Sequence, residues 1–256
     1  MGVKLEKAIL PDTYDNYVFD LYGTLVDIHT DENANEVWDK LALFYGYYGA
    51  CYEPQELKER YGLLVRGKED ELRLTLSSDP HYAHESSPEI EITDVFQTLF
   101  TEKGVEADQT LAIHAGQFFR VLSTEYVKVY PGTCDMLKDL KEKGKKVYLL
   151  SNAQHIFTAY EMQVIQIAQY FDDIFISSDF QTKKPDQRFF EALKDKHGLD
   201  SEKTLFIGND SHCDIEGAKQ VDFHTFYVIS NISPKDDQAE GADYIVEDFT
   251  EWMLES

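Results

Sequence analysis

The stretch "NYVFDLYGTLVD", residues 16–27, decides how the chain is read. An apolar run drives into Asp20 and is followed by Tyr22, Gly23, Thr24 and Asp27. A run without polar alternation fits a strand buried on both faces. A carboxylate ending such a strand is half buried, and costly unless a cation or hydrogen-bond donors compensate it. In an open α/β sheet, ligands bind beyond the carboxyl ends of the strands. Taken alone, the segment reads equally well as an aspartate capping a turn whose geometry Gly23 serves.

Moving outward, similar short runs recur: "KVYLLS" (146–151), "DIFISS" (173–178), "TLFIGN" (204–209), "TFYVIS" (225–230) and "DYIVED" (243–248). Helix-length amphipathic segments separate most of them. That alternation predicts an α/β fold, a doubly wound parallel sheet with helices on both faces. Between Ile28 and about Tyr126 the rhythm breaks. Val37, Trp38, Leu41, Phe44, Tyr45 and Tyr48 recur at helical spacing, as do Leu57, Tyr61, Leu64 and Val65. "FQTLF" and "GQFFRVL" predict further helices, "SSDPHYAHESSPEI" (77–90) a loop, and no strand is expected in the interval. The expected division is an α/β core over 1–27 and 127–256, with an all-helical insert over 28–126. The aromatic stripe of the insert reads most simply as core packing.

The 256 residues, 43% of them hydrophobic, suffice for one such core plus an insert. A formal net charge of −24 argues against nucleic acid as a partner, since phosphate binding needs a cationic footprint, and against anionic membrane surfaces. Cys51, Cys134 and Cys213 lie far apart in no metal-ligand spacing and fit free thiols in a reducing compartment. The N-terminus has no apolar signal region, Glu6 stands where myristoylation needs Ser or Thr, and no stretch is long enough for a membrane span. A cytoplasmic location is expected, as a monomer or a homodimer.

Three further strand ends carry polar residues. Ser151 and Asn152 follow "VYLL", where a hydroxyl and backbone N–H groups can hold an anion, although Ser-Asn is also an ordinary turn. Lys184 precedes Pro185, which favours an extended backbone at the lysine and can aim its ammonium at an anion. In "LFIGNDSHCDIEGAKQ", Asp210 and Asp214 sit four apart at a strand-to-helix turn. There they can face one point and offer hard oxygen ligands suited to Mg²⁺, or one of them can simply cap a helix.

In combination and order, "DLYGTLVD", "LLSN", "KKPDQRFF" and "GNDSHCDIEGA" resemble the motifs of the haloacid dehalogenase-like (HAD) hydrolase superfamily. The resemblance covers about the whole chain, since the helical C1-type cap of that superfamily is inserted where the helical segment lies. It implies that Asp20 is the nucleophile, forming an aspartyl ester that water hydrolyses. It implies that Ser151 and Lys184 hold the oxygens of the transferred group, with Tyr22, Gly23, Thr24 and Asn152 around the bound anion. Mg²⁺ would be the cofactor, held by Asp20, the backbone carbonyl of Tyr22, Asp210 (or Asn209 in its place) and Asp214 as ligand or supporting partner.

Tyr22 departs from the phosphatase pattern, in which this position is usually an aspartate that shuttles a proton. A phenol with an ordinary pKa near 10 substitutes poorly for it. The same tyrosine occurs in the 2-haloacid dehalogenase branch, whose leaving halide needs no proton and which works without metal. The expected function is Mg²⁺-dependent hydrolysis of a small phosphomonoester. The alternatives are halide displacement from a 2-haloacid, with Arg66, Arg73 or Arg120 cradling the halide, and a low-turnover phosphate- or metal-binding protein. His155 is a weaker candidate proton donor. "HYAH" (81–84) is read as loop, Asp27 and Asp186 as turn organisers, and Glu247 and Asp248 as surface residues.

Overall fold

The computed structural model describes residues 2–82 and 86–254. Seven parallel strands form the central sheet: β1 (Val3–Leu5), β2 (Asn16–Phe19), β5 (Lys146–Ser151), β6 (Asp173–Ile176), β7 (Thr204–Gly208), β8 (His224–Val228) and β9 (Tyr244–Val246). Their order across the sheet is β1-β9-β8-β7-β2-β5-β6. The chain thus builds outward from β2 through β5 to β6, then crosses back to β7 on the other side. The reversal falls at β2, which makes the end of that strand the switch point where ligands bind in such sheets. The short β1, at the sheet edge, is a strand that the sequence reading did not anticipate.

Successive side chains explain why these strands lack polar alternation. Tyr17, Phe19, Val147, Leu149, Leu205 and Ile207 enter one apolar cluster, with Met136, Leu137 and Leu140 of helix α5 (Thr133–Glu142). Val18, Tyr148, Leu150 and Phe206 enter another on the opposite face, under Phe189, Phe190 and Leu193 of helix α7 (Gln187–His197). Both faces are covered, so the middle positions of these strands are apolar on alternate faces, with polar residues mainly toward the strand ends.

Between β2 and β5 come helices α1 (Asn35–Tyr47), α2 (Pro54–Ser77), α3 (Thr93–Thr101) and α4 (Gln109–Ser123). They share a separate apolar cluster built on Trp38, Leu41, Tyr45, Phe96, Phe100 and Phe119. Ile156 and Phe157 of helix α6 (His155–Val164) join it from the core side. Gly116 lets α4 approach α6 closely, because a Cβ there would stand 2.5 Å from Ile156 Cδ1.

The expectation of no strand between Ile28 and Tyr126 is corrected. β3 (Val26–Thr30) and β4 (Thr124–Val129) pair antiparallel, from Val26↔Val129 to Thr30↔Thr124, at the two ends of the helical segment. This two-stranded ribbon leaves several of its side chains in solvent, so it has no continuous apolar run to betray it, and its two strands are separated in sequence by the whole helical insert. Asp27 lies in this ribbon rather than in a turn, where Asn231 Nδ2 (3.0 Å) and Lys128 Nζ (3.1 Å) hold its carboxylate. No helix among the described residues is long and apolar enough to cross a membrane.

Candidate active site

The carboxyl ends of β7, β2, β5 and β6 lie side by side, and the loops leaving them bring the predicted residues together. Asp20 extends the central ladder, its N–H donating to the Ile207 carbonyl at 2.9 Å, and its side chain is buried. Lys184, itself buried, donates from Nζ to Asp20 Oδ1 and to Asp214 Oδ1, each at 2.6 Å. Asp214 is fixed at its other oxygen by the N–H groups of Asn209 (2.9 Å) and Asp210 (3.1 Å). Glycine is required at 208, since a Cβ there would meet Asp214 Oδ2 at 2.3 Å.

Burial pulls the Lys184 ammonium toward neutrality, but Asp20 and Asp214 outweigh it and hold the pKa above its ordinary value. Burial raises the Asp214 carboxyl, to about 7, with Lys184 opposing and the charges of Asp20 and Asp210 adding. We take Lys184 as charged and Asp214 as ionised beside it, because two peptide donors on one carboxylate oxygen favour the anion. Burial and the same acids push the Cys213 thiol up to about 12, so it is no nucleophile.

Several expected anion contacts take a different place. Thr24 is fully buried, and its hydroxyl lies 3.4 Å from both Asp20 Oδ2 and Asn209 Oδ1, so it orients the carboxylate from behind. Gly23, at φ +92°, has no room for a side chain because a Cβ would stand 2.2 Å from the Asn209 amide. Asn152 spends its amide on the lysine backbone, accepting from Lys184 N at 2.8 Å and donating to Lys184 O at 3.0 Å. The Lys184–Pro185 peptide is cis. Ser151, at the tip of β5, is fully buried, and its hydroxyl has no hydrogen-bond partner among the described residues.

Tyr22 turns away from this centre. Its hydroxyl donates to Glu161 Oε2 and lies 3.1 Å from Thr158 Oγ1, both on α6. Arg120 of α4 closes the group, donating from Nε to Glu161 Oε1 at 2.6 Å. Burial, with the Glu161 charge adding, raises the phenol pKa and keeps it un-ionised. Of the three arginines considered for a halide, Arg120 is thus beside the first motif, but paired, while Arg73 donates to the Ser86 carbonyl at 3.0 Å. His155 is exposed, with its Nδ1 2.9 Å from Asp179 Oδ2, and is absent from the cavity that holds Asp20. His81 is exposed, and His84 lies outside the described residues. Glu161 was missed from sequence, where a lone helix acid gives no sign of facing a tyrosine in a distant motif.

Asn209 and Asp210 also separate. The Asn209 side chain enters the site beside Thr24, whereas Asp210 Oδ1 accepts from Cys213 N at 2.7 Å, capping a wide-turn helix (Ser211–Glu216) that runs into α8 (Gly217–Lys219). Both line a cavity of about 260 Å³ with Asp20, Tyr22, Asn152, Lys184 and Asp214. No tight cluster of three or more His, Cys, Asp or Glu side chains occurs among the described residues. The cavity nevertheless offers oxygen donors that suit a hard dication, with the carboxyls of Asp20, Asp210 and Asp214 and the amide of Asn209 in its lining beside Lys184 and the Cys213 thiol.

Fold and site together define an α/β protein of the doubly wound class with a buried carboxylate, Asp20, at the end of its central strand. The model of the haloacid dehalogenase-like hydrolase family matches residues 14–222, and the chain belongs to that family. It is 29% identical over 133 residues to the pyrimidine 5'-nucleotidase PynA of Streptococcus pneumoniae, covering 52% of this chain and 55% of that protein. It is 24% identical over 208 residues to an (S)-2-haloacid dehalogenase of Pseudomonas putida, covering 76% and 75%. The phosphatase-type relatives are thus matched over about half their length. The structure superposes on a 2-haloacid dehalogenase of Pseudomonas syringae with a TM-score of 0.63 at 19% identity, covering 91% of this chain and 94% of that one, a likeness of fold.

Proposed function

We propose that the protein hydrolyses small phosphomonoesters with Asp20 as nucleophile, the helices α1–α4 forming its cap. One observation carries the reading: a cavity lined by Asp20, Asp210 and Asp214 in which the Lys184 ammonium bridges two of the three carboxyls, Asp20 and Asp214. An anionic substrate needs a donor, which Ser151 offers, and needs the surplus negative charge offset. Mg²⁺ would be held by Asp20, the Tyr22 carbonyl oxygen and Asn209 or Asp210, and would neutralise that charge and polarise the phosphoryl group. Asp214, with both oxygens engaged by Lys184 and peptide N–H groups, suits the supporting role better than that of a ligand.

Asp20 attacks phosphorus, the bond to the alcohol oxygen breaks, and an aspartyl phosphate forms. Water then attacks phosphorus, which frees phosphate and restores the carboxylate. Lys184 and Ser151 stabilise the phosphoryl oxygens. The Tyr22 phenol, un-ionised and tied to Glu161, gives no proton to the departing alcohol, so esters of acidic alcohols leave best. We expect an aryl phosphate to be cleaved faster than an alkyl phosphate by about 10²-fold, the worth of a missing general acid. Phosphate release should stop in EDTA and in Asp20→Asn. Undiminished release in either would sink the proposal.

A second reading is favoured by the same phenol, since a halide leaving group needs no proton. Chloride release from 2-chloropropionate, unaffected by EDTA, would support a dehalogenase instead. Tight binding of vanadate with no turnover of any ester would favour a binding role.

A further inference from the structure

We propose that residues 86–92 of the helical insert form a strap that positions the loops carrying Ser151 and Lys184, with Glu89 as its anchoring, positioning residue. The proposal rests on the reading above in that these loops hold the substrate anion. The segment runs antiparallel to the residues just before Lys184. Pro88 bridges Thr182, Glu89 N donates to Gln181 O at 3.2 Å, and Lys183 N donates to Ser87 O at 2.9 Å. The insert therefore adds a short strand to the loop that ends in the site lysine.

Glu89 fastens this strand to the second loop. Its carboxylate, 12% exposed, accepts from Gln154 Nε2 at 2.7 Å and Ser177 Oγ at 3.1 Å, and pairs with Lys183 Nζ at 3.8 Å. Gln154 returns the contact, accepting from Ile92 N at 3.0 Å and donating to Ile90 O at 2.9 Å. Ser177 Oγ also accepts from Ala153 N at 2.9 Å. Gln154 and Ala153 directly follow Asn152, whose amide grips the Lys184 backbone. One insert carboxylate is thus bonded to both loops that present the anion donors. Because the insert is also joined to the core through β3 and β4, it is tied to the core at two places, the ribbon and the strap. A connection between α2 and α3 alone would not need a largely buried carboxylate bonded to Gln154, two residues from Asn152, and paired with Lys183, next to Lys184.

The test is amide hydrogen exchange and inorganic phosphate binding on the full chain, comparing wild type with Glu89→Ala, Glu89→Gln and, from the core side, Ser177→Ala. Glu89→Ala and Ser177→Ala should speed exchange at the Ala153, Glu89 and Lys183 amides by at least about tenfold while leaving Phe206 and Phe226 in the sheet unchanged. Phosphate affinity should fall about tenfold in Glu89→Ala, since small misplacement of oriented donors is expensive, and recover substantially in Glu89→Gln, which still accepts from Gln154 and Ser177. Unchanged exchange at those amides, or loosening spread evenly into the sheet, would overturn the strap. If wild type bound no phosphate, the proposed hydrolysis would fail instead, and exchange would still decide the strap.

Discussion

At the scale of single residues, Tyr22 is the position where sequence and structure must be read together. The sequence shows a phenol where a proton shuttle is usual, and leaves open whether that phenol faces the substrate. In the fold it is bonded to Glu161 and Thr158, with the Arg120 guanidinium 5.8 Å from its ring centre. Removing the hydroxyl therefore removes a buried hydrogen bond and no reacting group. Tyr22→Phe should keep turnover within about twofold, while thermal or urea unfolding registers a loss of about 1–2 kcal/mol, the cost of leaving a buried acceptor short of a donor. A collapse of turnover with unchanged stability would place the phenol in the chemistry after all. Asp20, Ser151 and Lys184 were legible through the order of their motifs, the first two because they end or follow apolar runs and the lysine because it precedes Pro185. The partners Glu161 and Glu89 were not, since a lone acid in an amphipathic segment carries no local mark of what it touches.

At the scale of elements, the turn after β7 shows how backbone geometry sets side-chain chemistry. Asp214 is seated by two peptide N–H groups and lies against Gly208, so the ion pair with Lys184 depends on the absence of a side chain one strand-end away. Gly208→Ala puts a methyl 2.3 Å from Asp214 Oδ2, into a place that only movement of the carboxylate can clear. We expect turnover to fall by at least about 10²-fold, the cost of misplaced site groups, with far-ultraviolet circular dichroism unchanged. Wild-type turnover in that variant would show that Asp214 has no part in holding Lys184. The inner strands of the sheet were readable because burial on both faces demands continuous apolar runs, whereas the exposed edge strand β1 was not. β3, β4 and the strap at 86–92 were not, because each is short and satisfied by partners far along the chain.

At the scale of the whole molecule, a net charge of −24 bears on stability as well as on partners. Like charges spread over one surface repel, and salt screens them over a Debye length of about 8 Å at 0.15 M. Unfolding should therefore occur at higher temperature near 0.15 M salt than at about a tenth of that concentration, as scanning calorimetry would show. A lower melting temperature at the higher salt would mean that the exposed pairs, such as Lys40–Glu36 and Lys143–Asp139, outweigh the repulsion. By itself the sequence determined the parallel sheet, the helical insert and the four polar strand ends, because hydrophobic periodicity and turn chemistry are local properties of the chain. Only the tertiary structure decided that Lys184 bridges Asp20 and Asp214, that Asn152 grips the lysine backbone, that Tyr22 is tied to Glu161, and that the insert reaches back to the site loops. Each of these joins residues far apart in the chain, and such contacts exist only once the burial of two sheet faces has fixed which loop ends lie side by side.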